Sequence, residues 1–213
     1  KIEQKSIGES TLGGRDIFID EDIGKLNSEK RGAYLGSFNS EDRIIVFYKD
    51  GSYEMTTFNF SNRYKMSDIY ILEKYNNEVI YSVIHQYGRN KKIYIKRFKV
   101  ETNLLSRRFT YIPEDRGSKL LLISNYKDLD VKYNYRLKNG EKKSKKISVN
   151  NFIELKGYKA IGKVLDSKKR MSGYCFEKVD IPSQVKETEQ DASVTDTNIK
   201  DDIDNSNDEL TLF

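Results

Sequence analysis

The amino-acid sequence predicts an all-β protein: a propeller-like array of about four four-stranded blades, followed by a disordered acidic C-terminal tail. Three observations carry this. Runs of β-branched and aromatic residues are joined by short turn sequences. The paired runs recur at intervals near 40 residues, the spacing of small repeated sheets. Acids gather at the end of an otherwise basic chain.

The first hairpin pairs residues 44–48 with 52–58 around Lys49-Asp50-Gly51, where Asp-Gly supplies the positive φ a tight turn needs. Residues 79–85 and 92–100 repeat the design around Gly88. Residues 119–125 and 131–137 are expected to pair around Lys127-Asp128, and 160–165 with 172–179 around Ser167-Lys168-Lys169. The starts near 44, 79, 119 and 160 lie 35, 40 and 41 residues apart. Further strand-rich pieces at 16–19, 69–74, 109–112 and 152–155 bring each unit to about four strands. Such units cannot bury their apolar faces alone, so neighbours must share a core. An ordinary β-sandwich is the alternative, and no long amphipathic helix is evident.

The bulk numbers agree. Of 213 residues, 37 % are hydrophobic and 33 % charged, which suits a shallow repetitive fold better than one deep core. Fifteen Tyr and ten Phe supply much of the apolar bulk. Nine acids and two lysines from Ile181 to Phe213 sum to −7; the whole chain is +5, so residues 1–180 carry +12. Residues 184–209 have no aromatics and few aliphatics, too little to offset the entropy of ordering, and Pro182 marks their boundary. The expected organisation is a linker at 1–12, a folded domain at 13–180 and a tail at 181–213, within a longer parent protein. A body this basic points to a polyanionic partner, and the acidic tail is expected to compete for the same surface.

Catalytic chemistry finds no support. The single cysteine, Cys175, excludes an internal disulfide and a Cys-based zinc site, and its setting in Tyr174-Cys175-Phe176 predicts a buried structural thiol in a reducing cytoplasm. The single histidine, His85, lies in an apolar strand and reads as structural. Asp20-Glu21-Asp22 lacks the spaced oxygens and closing Glu of a calcium loop, and no glycine cluster carries a phosphate-loop lysine. No metal or catalytic residue is assigned. No apolar run approaches the roughly 20 residues of a membrane span, and nothing resembles a signal peptide.

Basic residues recur beside the expected hairpins. Arg136 to Lys146 holds six in eleven positions, among them Lys142, Lys143, Lys145 and Lys146. Arg89, Lys91, Lys92, Lys96, Arg97, Arg107, Arg108, Lys168, Lys169 and Arg170 fall at or beside the other turns. A repeated unit with such turns lays a positive stripe around a rim. Duplex DNA, with one charge per about 1.7 Å, would gain counterion entropy on binding it. Contacts to phosphates rather than base edges predict weak sequence preference.

The segments Gly14-Arg15-Asp16-Ile17-Phe18-Ile19-Asp20, Gly24-Lys25-Leu26-Asn27, Arg31-Gly32-Ala33-Tyr34-Leu35-Gly36 and Asp42-Arg43-Ile44-Ile45-Val46 resemble the C-terminal domain of the A-type chain of topoisomerase IV in its Bacteroidetes form. So do Lys96-Arg97-Phe98-Lys99-Val100 and Ile153-Glu154-Leu155-Lys156-Gly157-Tyr158-Lys159-Ala160-Ile161-Gly162, so the resemblance covers roughly residues 13–180. It implies a β-pinwheel whose blades exchange strands and whose basic rim bends duplex DNA and presents it for strand passage in decatenation and relaxation. Arg15, Lys25, Lys30, Arg31 and Lys156 join the DNA-binding candidates on this ground. The resemblance also implies that the catalytic tyrosine, ATP and magnesium belong to other parts of the parent enzyme. Its partners would be the B-type chain of topoisomerase IV and a second A-type chain, and its location the cytoplasmic nucleoid.

The related gyrase A domain, which wraps DNA chirally, carries a box approximating Q-R-R-G-G-K-G. Here Glu29-Lys30-Arg31-Gly32-Ala33-Tyr34-Leu35-Gly36 keeps the basic pair and first glycine but not the Gly-Gly-Lys core, which favours the topoisomerase IV reading. A protein-interaction scaffold is the alternative of a different class. Finally, Glu209, Leu210, Leu212 and Phe213 resemble the short peptides that dock on bacterial sliding clamps, with Glu in place of Gln.

Overall fold

The structure is a computed structural model and describes residues 14–165 and 170–179. In chain order the strands are β1 (Arg15–Asp20), β2 (Lys25–Asn27), β3 (Ala33–Phe38), β4 (Ile44–Tyr48), β5 (Ser52–Thr56), β6 (Ile69–Lys74), β7 (Ile80–Gln86), β8 (Ile93–Lys99), β9 (Phe109–Thr110), β10 (Lys119–Ser124), β11 (Leu129–Arg136), β12 (Lys142–Ser148), β13 (Lys163–Val164) and β14 (Arg170–Lys178). One helical turn, α1 (Val149–Phe152), follows β12, and a 3-10 turn at Met66–Asp68 precedes β6.

These strands form four sheets, ordered β2-β1-β3, β6-β4-β5-β9, β10-β7-β8-β13 and β12-β11-β14. One rule generates all four. Each blade is a hairpin plus a third strand beside the hairpin's first strand. In the first three blades the free edge of the hairpin's second strand is then covered by an antiparallel piece of the following blade. Thus β9 leaves the third blade to pair with β5, and β13 leaves the fourth to pair with β8. In the first blade the same place is taken by a single bridge, Lys25 to Arg63. This exchange of outer strands makes the array a β-pinwheel.

The first two expected hairpins form as β4–β5 and β7–β8. The other two do not. Residues 119–124 pair with β7, not with β11, and Lys127-Asp128 is a link between blades. The hairpin of the fourth blade is β11–β12, turned at Asn139-Gly140 with Gly140 at φ 88. Residues 160–165 supply β13 to the third blade, while β14 pairs with β11. Residues 152–155 form no strand: Phe152 ends α1, and Leu155 makes one parallel bridge to Arg97.

Three cores lie between consecutive blades. Ile17, Ile19, Leu26 and Phe38 of the first meet Ile44, Val46 and Tyr48 of the second. Ile45, Phe47, Tyr53 and Met55 meet Tyr81, Val83, Phe98 and Val100. Ile84, Ile93 and Ile95 meet Leu129, Val131 and Tyr133. Successive side chains of a strand point to opposite faces, so β4 feeds two cores in alternation and is buried throughout. His85 is wholly buried, with Nε2 2.8 Å from the Ile161 carbonyl, and burial holds its pKa below the ordinary value. Cys175, expected to be buried, is exposed. Successive residues of β14 alternate in facing: Phe176, opposite buried Val131, packs inward with Tyr174, so Cys175 between them, opposite Lys132, faces outward.

A lysine lies among these cores: Lys96 is 1 % exposed. Its Nζ donates to the carbonyls of Tyr111, Tyr158 (2.5 Å) and Ala160 (3.0 Å), satisfying all three ammonium hydrogens. It also lies 5.2 Å from the Phe98 ring centroid. Those carbonyls belong to the two crossing segments, one just after β9 and one just before β13. Lys96 therefore ties both strand exchanges to β8.

Burial pulls the Lys96 pKa down to about 7, so the ammonium that serves all three carbonyls prevails below that pH and an amine with two hydrogens above it. Between there and the unfolded value of about 10.4 the unfolded chain binds the extra proton, so stability rises with pH, by at most about 1.4 kcal/mol per pH unit. Above about pH 10 it falls, because Tyr53, Tyr81 and Tyr111 stay protonated in the fold but ionise on unfolding. Urea unfolding from pH 6 to 10 is expected to show this rise. Lys96→Met, which strands three carbonyls, is expected to abolish it and to cost about 3 kcal/mol or more.

Candidate nucleic-acid interface

The exchange rule brings basic residues from distant parts of the chain to equivalent places. At the outer edge of the first blade stand Lys25 and Arg63, joined by their bridge. At the second, β9 is preceded by Arg107 and Arg108, both exposed. At the third, Lys163 opens β13, with Lys156 and Lys159 exposed on the approach. At the fourth, β12 itself forms the edge, with Lys142, Lys143, Lys145 and Lys146 all exposed. Each exchange-edge position carries at least one cation.

Aromatic faces steady several of these groups. The Arg108 guanidinium lies 3.9 Å from the Tyr48 ring centroid, Arg107 5.4 Å from Phe109, and Lys163 Nζ 4.4 Å from Phe152. A guanidinium stacked on a ring keeps its in-plane donors free for an anion.

Carboxylates hold a second set. Arg89 pairs with Asp115 at 2.6 Å, Arg31 with Glu29 at 2.9 Å and Lys143 with Glu141 at 3.4 Å. Lys146 lies 3.0 Å from Asp130 and 3.2 Å from Glu177, contacts that raise its pKa and lower that of Glu177. Arg108 is 3.6 Å from Asp50 and 3.9 Å from Glu54. Exposed pairs of this kind stabilise by about 1 kcal/mol at most, so a phosphate can displace the carboxylate at little cost.

Two candidates leave the surface. Lys96 is enclosed by its three carbonyls and cannot reach a phosphate. Arg97 is half-buried, its Nη1 3.4 Å from the Ile153 carbonyl, and burial lowers its pKa. Arg15, Lys30, Lys91 and Lys92 are exposed. Lys168 and Lys169 lie outside the described residues, as do the linker at 1–12, the tail at 181–213 and Glu209, Leu210, Leu212 and Phe213. Arg170 is described by its backbone alone, as the first residue of β14. Sequence reasoning missed Arg63, Lys159 and Lys163. Each adjoins a bridge or two-residue strand too short to show a period.

The box-like segment is the link from β2 into β3. Asn27 shapes it: Oδ1 accepts from the backbone N–H of Glu29 (3.0 Å) and Arg31 (3.1 Å), while Nδ2 donates to the Arg31 carbonyl (2.9 Å). Lys30 has φ 61 and Gly32 φ 82. Tyr34 Oη donates to Asp16 Oδ1 at 2.9 Å, and its ring lies 5.0 Å from Phe18. No strand is exchanged from this link, unlike its counterparts in the third and fourth blades.

Among the described residues no group of three His, Cys, Asp or Glu is placed to hold a metal, and no helix is long and apolar enough to cross a membrane. Residues 25–171 match a family described as the topoisomerase C-terminal domain of Bacteroidota. No curated protein matches the chain.

A Cβ at Gly32 would stand 2.0 Å from the Ile19 carbonyl oxygen, at a φ that side chains rarely adopt. Gly32→Ala is therefore expected to cost about 1–3 kcal/mol, read as a lower thermal midpoint.

Proposed function

Because the chain belongs to the topoisomerase C-terminal domain family of Bacteroidota, we propose that it binds and bends duplex DNA for a parent topoisomerase. The observation that carries this is the recurrence of cations at every exchange edge, from Arg63 through Arg107 and Lys163 to the lysines of β12. A DNA backbone laid along consecutive edges would meet one basic cluster per blade. Bending a short site by 40–90° costs on the order of 1–6 kcal/mol, which several lysine–phosphate contacts offset through counterion release.

The arrangement suits positioning rather than chemistry. It offers a rim of Lys and Arg, with the one histidine buried against a backbone carbonyl. In this reading the domain presents a duplex segment to the cleavage and passage machinery of its parent, to which ATP and magnesium belong. The departures of Glu29, Ala33, Tyr34 and Leu35 from the gyrase box favour the A-type chain of topoisomerase IV as that parent. It would work with the B-type chain and a second A-type chain in decatenation and relaxation.

Affinity for mixed-sequence duplex DNA, measured against salt, is the test. A steep linear fall of log K with log salt is expected, with little sequence preference. Lys142→Ala/Lys145→Ala should weaken binding of all sequences alike and lower the slope by about two, while leaving stability within about 0.5 kcal/mol. A flat salt dependence would refute DNA binding and leave the protein-interaction scaffold.

A further inference from the structure

Two crossing segments share more than their exchanged strands. In the second blade Tyr53 faces Phe109 of β9, and two residues further along β5 a parallel bridge joins Met55 to Leu105. In the third blade Ile95 faces Lys163 of β13, and two residues further along β8 a parallel bridge joins Arg97 to Leu155. The residue after each leucine donates its backbone N–H to that strand: Ser106 to the Met55 carbonyl at 2.8 Å, and Lys156 to the Arg97 carbonyl at 3.0 Å. Leu105 and Leu155 therefore hold one position in two blades. Around them the residues differ, Asn103-Leu104-Leu105-Ser106-Arg107 against Ile153-Glu154-Leu155-Lys156-Gly157.

Both leucines are exposed, Leu105 by 39 % and Leu155 by 45 %, and Leu104 beside the first by 51 %. The bridge uses backbone atoms, so it does not itself require leucine. Exposed apolar residues scattered singly are ordinary. Here they recur at one register, and the chain between bridge and exchanged strand is otherwise basic. Residues 104–109 hold two arginines and no acid; residues 154–163 hold three lysines and one acid, Glu154. A protein-docking surface is a contiguous apolar patch. These are separate apolar points, one per blade, each followed by cations. The backbone of a nucleic acid has the matching composition, because apolar sugar faces alternate with phosphates along it.

We propose that the Leu104-Leu105 pair and Leu155 pack on deoxyribose faces of the bound duplex, while the cations that follow them hold the neighbouring phosphates. This rests on the proposed DNA binding and deepens it. The contact adds affinity that does not depend on salt, since burying apolar surface releases no counterions. It also selects DNA over RNA. The minor groove of an RNA duplex displays 2′-hydroxyls, and a leucine pressed on one would bury a polar group without a partner.

Affinity of the full chain for a mixed-sequence DNA duplex, and for the RNA duplex of the same sequence, is measured across a salt series. Leu104→Ala/Leu105→Ala/Leu155→Ala should weaken DNA binding about fivefold at every salt concentration and leave the slope of log K against log salt unchanged. Arg107→Ala/Arg108→Ala should instead lower that slope by about two. Replacing the three leucines by Met should keep wild-type affinity, and replacing them by Gln, of similar size, should match the alanine variant. The urea midpoint of all these leucine variants should stay near that of the wild type, since the side chains are exposed. The wild type should prefer DNA to RNA, and the alanine variant should narrow that preference about threefold or more. Unchanged DNA affinity in the alanine and glutamine variants overturns the proposal. So does a loss that appears as a change of slope, or a DNA preference that the alanine variant keeps in full. Each of these outcomes leaves DNA binding itself standing, whereas a wild type with a flat salt dependence removes both readings.

Discussion

Backbone edges govern this molecule. Each sheet is small and is built on a single hairpin, and an unpaired strand edge buried in a repeat array would strand N–H and C=O groups without water. Strand exchange solves that problem by covering the edges of the first three hairpins with chain from the next blade. It also obliges long connections to cross between blades, and those connections bring peptide carbonyls into the interior. Lys96 answers the carbonyls: one ammonium, three donors and three acceptors from two crossing segments. The cores between blades and the Lys96 node are thus two halves of one arrangement, since the strands that share cores are held in place by the segments the lysine binds.

The same rule shapes the surface. An exchanged strand lies outermost in its blade, so cations on it or beside it are displayed at equivalent positions along the array. Arg107 and Arg108 reach the second blade from the third, and Lys163 reaches the third from the fourth. Aromatic rings from the receiving or donating blade orient them, as Tyr48 does for Arg108 and Phe152 for Lys163. An electrostatic pattern that looks scattered along the chain becomes periodic once the strands change blades. The fourth blade keeps the charge without the exchanged strand among the described residues, so the basic edge and the open backbone edge coincide on β12.

Much of this was legible in the residues themselves. The all-β class and the hairpins at 44–56 and 80–99 follow from two-residue alternation and turn residues, because both are local properties. The charge division between body and C-terminal segment is fixed by composition alone. So is the absence of a second histidine or cysteine, which rules out a two-histidine or two-cysteine site within this chain. The likeness to topoisomerase C-terminal domains rested on motif order and needed no coordinates.

What the sequence could not decide is which strands pair. Residues 119–124 and 129–136 look like a hairpin because they are adjacent, yet each finds its partner elsewhere: hydrogen-bond complementarity is the same for any extended backbone, and only packing selects among candidates. Strands as short as 109–110 and 163–164 carry no period at all. Lys96 shares its parity with Phe98 and Val100, a sign of the inward face, but its charge argued for the rim until three carbonyls were seen to surround it. Cys175 has apolar neighbours on both sides, yet alternation along β14 turns it outward between inward Tyr174 and Phe176. Residue type and spacing thus determined the fold class and the charge of this protein. Tertiary structure decided the partners, because strand pairing and the burial of a charge depend on groups brought together from far along the chain.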